Sequence, residues 1–240
     1  MTQWIRELAD DPGNLGHWAA KLLQTELPAT AREEIKTGEL NAWWPWAFDA
    51  PTQPELPASY LDECRRLRSA LLLRQPAPQV VLLTAAESGA GVTTLARNLA
   101  PVSAALASKS CLLVQTRDAL SEGPGLTDVL AGDARWEAAV RRAVNAPSLC
   151  WIDAGGSAVP LADLLAGPEW SWVCAQARLS FDFILIDGVA LNEDAAAAAL
   201  VHAADAVVLV ARPGWTTHPG LVAAQRLIPA EKMAGIVLNG

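Results

Sequence analysis

From residue 80 onward, short unbroken apolar runs alternate with stretches of helical periodicity. The runs fall at 80–83, 111–114, 149–152, 183–187, 206–210 and 235–238. Each is too short and too uniformly apolar for a half-exposed strand, so each predicts a strand buried on both faces. Between them the spacing predicts a helix opening at Thr93-Thr94, a short helix in 125–132, a longer one over 136–143, and others over 161–165, 170–179, 194–203 and 219–227. Strands alternating with helices imply a doubly wound α/β domain with a mainly parallel sheet and helices on both faces. Right-handed crossovers then put ligands at the C-terminal ends of the strands.

Ahead of the first strand, 59–73 reads as a helix. Ser59 can cap it, Asp62 and Glu63 sit in its first turn, and Leu61, Cys64, Leu67 and Leu71 form an apolar stripe. Arg65, Arg66 and Arg68 occupy its other faces, and Pro76 and Pro78 end it. Residues 1–57 have a different character. Helical patterns at 4–10, 17–25 and 30–38 lead into Trp43-Trp44-Pro45-Trp46-Ala47-Phe48, then a linker punctuated by Pro51, Pro54 and Pro57. We therefore divide the chain into an N-terminal helical, Trp/Pro-rich extension (1–57) and an α/β domain (58–240). The aromatics Trp43, Trp44, Trp46 and Phe48 are costly to leave in water. Either they pack back onto the domain or they dock a partner protein.

Composition narrows the function classes. With 52% hydrophobic and 18% charged residues in 240, the chain can bury a sizeable core. A formal net charge of −8 argues against a nucleic-acid partner. Cys64, Cys111, Cys150 and Cys174 form no CxxC pair and have no histidine at metal-ligand spacing. They are expected as buried free thiols in a reducing cytosol. The first residues do not read as a signal peptide, and no uncharged apolar run reaches the roughly 18–20 residues of a membrane span. A soluble, cytoplasmic protein is expected, with any membrane link made through a partner.

The chemistry-bearing stretch follows the first strand. Glu87-Ser88-Gly89-Ala90-Gly91-Val92-Thr93-Thr94 has the strand, Gly-rich loop and helix layout of a phosphate-binding P-loop. Glycines let the backbone approach phosphates, and successive N–H groups with the helix N-terminus supply positive potential. The lysine such a loop requires is replaced by Val92. The bland alternative is that the glycines serve only a tight turn. Of the nearby basic residues, Arg97 and Lys109 read as solvated helix-face or loop charges. His202 reads as a packing residue and His218 as a loop residue without a nucleophile to serve. Ser157 does not form the Gly-x-Ser-x-Gly elbow of hydrolases.

Several segments in order resemble the bacterial tyrosine kinase (BY-kinase) domain, within the wider MinD/ParA group of deviant P-loop ATPases. Asp62-Glu63-Cys64-Arg65-Arg66-Leu67-Arg68 is similar to the family's Glu-x-x-Arg-x-x-Arg helix. Residues 87–94 are similar to the P-loop, 125–132 to a Gly-Leu-Ser-Asp-Val-Leu-Ala-Gly segment, and 183–187 to the Walker B strand. Residues 204–214 and 235–240 resemble the last two strands. The resemblance implies a nucleotide site at Ser88, Gly89, Ala90, Gly91, Val92, Thr93 and Thr94, with Asn239 near the adenine. It implies Mg²⁺ at Thr93 and Asp187, and a subunit interface at Asp62, Arg65 and Arg68.

The departures fall on catalytic positions. Besides Val92, the family's second acidic motif is replaced by Gln115 and Arg117, and Asp118, one place on, is directed elsewhere. Thr-Pro-Pro after Asp187 becomes Gly188-Val189-Ala190. Tyr60 is the only tyrosine, where the family's kinases carry a tyrosine-rich tail after the last strand. We expect no catalytic residues and no required cofactor, with at most weak binding of ATP or ADP with Mg²⁺. The resemblance implies a pseudokinase that regulates or scaffolds exopolysaccharide or capsule assembly, peripheral to the inner membrane. Its expected partner is a membrane co-polymerase or synthase, with homo-oligomers or hetero-oligomers with an active relative. Two other readings stand beside it. One is a MinD/ParA-like nucleotide switch. The other is an interaction module acting through the aromatic cluster.

Overall fold

Side-chain alternation along the central strand divides the core in two. In β1 (Val80–Ala85), Val80 and Leu82 face one buried cluster, while Val81 and Leu83 face another. Successive strand residues point to opposite faces, so a continuous apolar run needs cover on both sides. The computed structural model describes residues 58–105, 110–117, 123–143, 146 and 148–240. The helices expected at 4–10, 17–25 and 30–38, the aromatics Trp43, Trp44, Trp46 and Phe48, and Lys109 and Asp118 lie outside them.

The elements in chain order are α1 (Ala58–Leu72), β1, α2 (Val92–Ala104), β2 (Cys111–Gln115), α3 (Leu126–Leu130), α4 (Trp136–Ala139), β3 (Arg141–Arg142), β4 (Leu149–Ile152), α5 (Leu161–Leu165), α6 (Pro168–Ser180), β5 (Phe183–Ala190), α7 (Ala196–Ala203), β6 (Ala206–Ala211), α8 (His218–Arg226) and β7 (Met233–Leu238). They build one 7-stranded sheet in the order β3-β4-β2-β5-β1-β6-β7. Every pairing is parallel except β3 with β4. One face is covered by α1 and α2, through Cys64, Leu71, Leu95 and Leu99. The other is covered by α3 to α8, through residues such as Leu126, Leu165, Trp170, Leu200 and Leu221. The expected doubly wound α/β architecture is thus present.

Two segments differ from expectation. The helix expected over 136–143 stops at Ala139, and Arg141–Arg142 run antiparallel to β4, with Arg141 opposite Trp151. The reason is tertiary: Arg141 donates to the carboxylate of Asp153 (2.8 Å), which is 1% exposed. Leaving that charge unmatched in the interior is worse than giving up one helical turn. The strand expected to end at Asp187 continues to Ala190, with a register shift against β1 between Leu83 and Ala85. Thr84 Oγ1 donates to the Val189 carbonyl there (2.6 Å).

The cysteines are free, three of them buried and Cys174 half-buried. Burial pushes the Cys64 and Cys174 thiols up to about 11, which leaves them poor nucleophiles. Among the described residues no helix is long and apolar enough to cross a membrane.

Candidate functional site

The C-terminal ends of β1, β2, β5 and β6 converge on the loop after β1. Gly89 and Gly91 hold φ of 87° and 90°, a left-handed conformation that side chains rarely adopt, and Gly91 opens α2. A β-carbon on Gly91 would stand 1.8 Å from Asn239 Nδ2. The expected lysine position does not face the loop's mouth as a cation: Val92, half-buried, packs against the core on the α1–α2 face.

Side chains from three other segments clamp the loop. Asn239 Nδ2 donates to the Ala90 carbonyl (3.1 Å), and Trp215 Nε1 donates to the Ser88 carbonyl (2.9 Å). Arg212 Nη1 donates to the Gly89 carbonyl (3.3 Å), with its guanidinium 5.9 Å above the Trp215 ring. Glu193 Oε2 accepts from both the Ser88 N–H (3.1 Å) and its hydroxyl (2.6 Å). These bonds, hydroxyl first, hold its carboxyl below the usual glutamate range. Glu87 Oε1 accepts from Thr217 Oγ1 (2.8 Å). The backbone N–H groups of Gly89, Ala90, Gly91, Val92, Thr93 and Thr94 have no acceptor among the described residues. Such a row of donors is of the kind that meets phosphate oxygens, with the Trp215 ring lying against Gly89 beside it.

Beneath the loop the polar groups are engaged with one another. Thr93 Oγ1 donates to Asp187 Oδ1 (3.2 Å), which unites the two expected metal ligands; Asp187 is 2% exposed. Gln115, fully buried, stands beside Asp187 on the adjacent strand. With its amide oriented to satisfy both neighbours, it donates to Asp153 Oδ1 (3.2 Å) and accepts from Arg97 (3.0 Å). Arg97 is thus not the solvated helix-face charge expected from the sequence. It turns under the sheet ends because Gln115 and the buried acids there need donors. Arg117, in place of an acidic residue, bends back over the loop: Nη1 donates to Ser88 Oγ (3.1 Å) and Nη2 lies 3.6 Å from Asp194 Oδ2.

Mg²⁺ takes about six oxygens in near-octahedral array. Thr93 and Asp187 offer one hydroxyl and one carboxylate. The neighbouring position is an amide already tied to a guanidinium, and the next is itself a cation. No group of three or more acidic, histidine or cysteine side chains suited to a metal exists among the described residues. The donor row fits a phosphate chain; Thr93 and Asp187 by themselves are too few for a resident divalent cation, whose shell would need phosphate oxygens and water to complete it.

The remaining candidates scatter. Asp62 and Arg65 pair within the exposed face of α1. Arg68 turns inward and donates to the Val102 carbonyl (2.7 Å). His202 is exposed, so it is not the packing residue expected. His218 opens α8, where Thr217 is the cap, and the Ser157 hydroxyl accepts from the Val159 N–H. Sequence reasoning missed Trp215, Arg212 and Glu193. The signal was their position just past strand ends, where this class of fold gathers its site.

No family model matches the chain, and no curated protein sequence does. Solved structures do. The kinase domain of the Escherichia coli tyrosine kinase ETK is 22% identical over 75% of this chain and 75% of that one, with a TM-score of 0.68. The BceF tyrosine kinase domain is 24% identical over 75% and 77%, at 0.65. The MinD cell division protein of Aquifex aeolicus is 20% identical over 67% and 69%, at 0.54. The chain therefore has the α/β fold shared by bacterial tyrosine kinase domains and MinD-like proteins.

Proposed function

We propose that this protein is a catalytically inactive, BY-kinase-like regulatory or scaffolding subunit of bacterial exopolysaccharide or capsule assembly. It is held at the cytoplasmic face of the inner membrane by a membrane co-polymerase or synthase. The observation that carries the inactivity is the fate of the charges around an intact loop. Val92 is packed into the core, and Gln115 is tied to Arg97 and Asp153. Phosphoryl transfer depends on oriented charge around the transferring group. Losing one such group commonly costs ~10²–10³ in rate, and several losses do not add simply. The single tyrosine, Tyr60, packs against the α2 face, where burial pushes its phenol well up. That is a poor position for a phosphate acceptor.

The test is to assay the purified full chain for ATP hydrolysis and tyrosine phosphorylation beside an active kinase domain such as that of ETK. Background rates, unchanged by Asp187→Asn, are expected. Rates like the active domain's, abolished by that substitution, overturn the reading. Co-purification of the full chain with a membrane co-polymerase tests the scaffold role.

The open N–H row and the Thr93–Asp187 pair favour a second reading, a MinD/ParA-like nucleotide switch. It requires that ATP change the oligomeric state, which light scattering reads directly.

A further inference from the structure

The loop has lost its lysine but is not short of positive charge. Arg117 rises from the end of β2 and Arg212 from the end of β6, on opposite sides of the β5–β1 pair that carries the loop. Arg117 holds Ser88 Oγ and Arg212 holds the Gly89 carbonyl. The Arg117 side chain is 40% exposed. Its contact to Asp194 is long at 3.6 Å, and such exposed pairs are weak, so the fork can turn to a better anion. Two other acids beside the loop, Glu193 and Glu87, are committed to Ser88 and Thr217.

We infer that the loop binds the phosphate chain of a nucleotide without a divalent cation, with Arg117 supplying the charge that lysine and metal would otherwise bring. This deepens the reading of an inactive site and rests on the donor row described for it. A guanidinium matches two phosphate oxygens at once and needs no metal to bridge them. Where the resembling kinases carry an acidic residue, this chain holds a cation over the loop. The exchange of an acid for Arg117 is thus a change of ligand chemistry as well as a loss of catalysis.

The experiment titrates ATP into the full chain by calorimetry, once in EDTA and once in excess Mg²⁺. Affinities within about threefold of each other are expected. Arg117→Ala should weaken binding in EDTA by about tenfold or more, the usual effect of removing a charged hydrogen-bond donor. Arg117→Asp should abolish binding in EDTA and restore part of it with Mg²⁺, a reversal that a structural role would not produce. Inorganic triphosphate should displace ATP. Thermal melting establishes that the variants are folded, and Arg117→Lys, which keeps the charge but not the two-pronged fit, should bind between wild type and Arg117→Ala. The inference is overturned if the wild type binds only with Mg²⁺, or binds in neither buffer at millimolar ATP. It is equally overturned if Arg117→Ala binds like wild type in EDTA, or if triphosphate fails to compete. None of these results alters the background rates expected of an inactive protein, so the two readings fail separately.

Discussion

A β-carbon at Gly188 would stand 2.5 Å from Leu82 Cδ1 and 2.8 Å from the Leu83 carbonyl oxygen. The backbone oxygen cannot swing aside, so the glycine is what lets β5 press against β1 through the register shift. Gly188→Ala should lower stability by about 1–3 kcal/mol in urea denaturation, as overpacking does. Gly188→Thr, which puts a larger, branched side chain at the same point, should lower it further. At the same scale, Glu193 makes a pH prediction. Its folded pKa is lowered by Ser88, so the linked stabilisation is complete above the unfolded value. It is lost as pH falls through the lower folded one. Carbon-detected NMR of the side-chain carboxyl should show titration below the ordinary glutamate range, and Ser88→Ala should move it back up.

Two elements are fixed in place by ion pairs that join distant parts of the chain. β3 is a strand because Arg141 reaches Asp153. Arg141→Ala should destabilise by about 3 kcal/mol, since it removes the cation from a buried carboxylate. Thermal melting measures this, and loss of the β3 amide protection in hydrogen exchange locates it. The end of α6 is joined to the start of β6 by the fork of Arg178 on Asp205, at 2.9 and 2.7 Å. Burial pushes the Asp205 carboxyl up, but Arg178 and the Val80 and Gln79 N–H groups outweigh it and hold it below the usual range. With both side chains about a third exposed, solvent screening reduces the pair to about 1 kcal/mol in a double-mutant cycle. Because the folded pKa is depressed, that contribution is present above the unfolded carboxylate pKa. It fades as pH falls through the folded value.

For the whole molecule, both faces of the sheet are covered within residues 58–240. That segment expressed alone should therefore unfold in one cooperative transition by calorimetry, as small domains do. Replacing Trp43, Trp44, Trp46 and Phe48 with alanine in the full chain should leave this transition unchanged and abolish recovery of the proposed membrane partner. An unfolding temperature lowered by several degrees would instead mean that the aromatics pack onto the domain.

The α/β class, the order of the parallel strands' segments and the loop at residues 87–94 were legible in the sequence. A buried parallel strand must be apolar throughout, and a tight phosphate turn must use glycine where φ is positive. The absence of lysine was equally legible at Val92. What the linear pattern did not hold was the direction of charged side chains. Arg97 and Arg117 carry no periodic signal, and only the packed strand ends decide that one turns under the sheet and the other over the loop. The same holds for β3, whose helical spacing yields to Asp153, a residue 12 positions away in the chain. Local pattern determines which backbone a segment prefers. Where a buried charge must be met, the partner comes from elsewhere in the fold, and only the tertiary structure decides it.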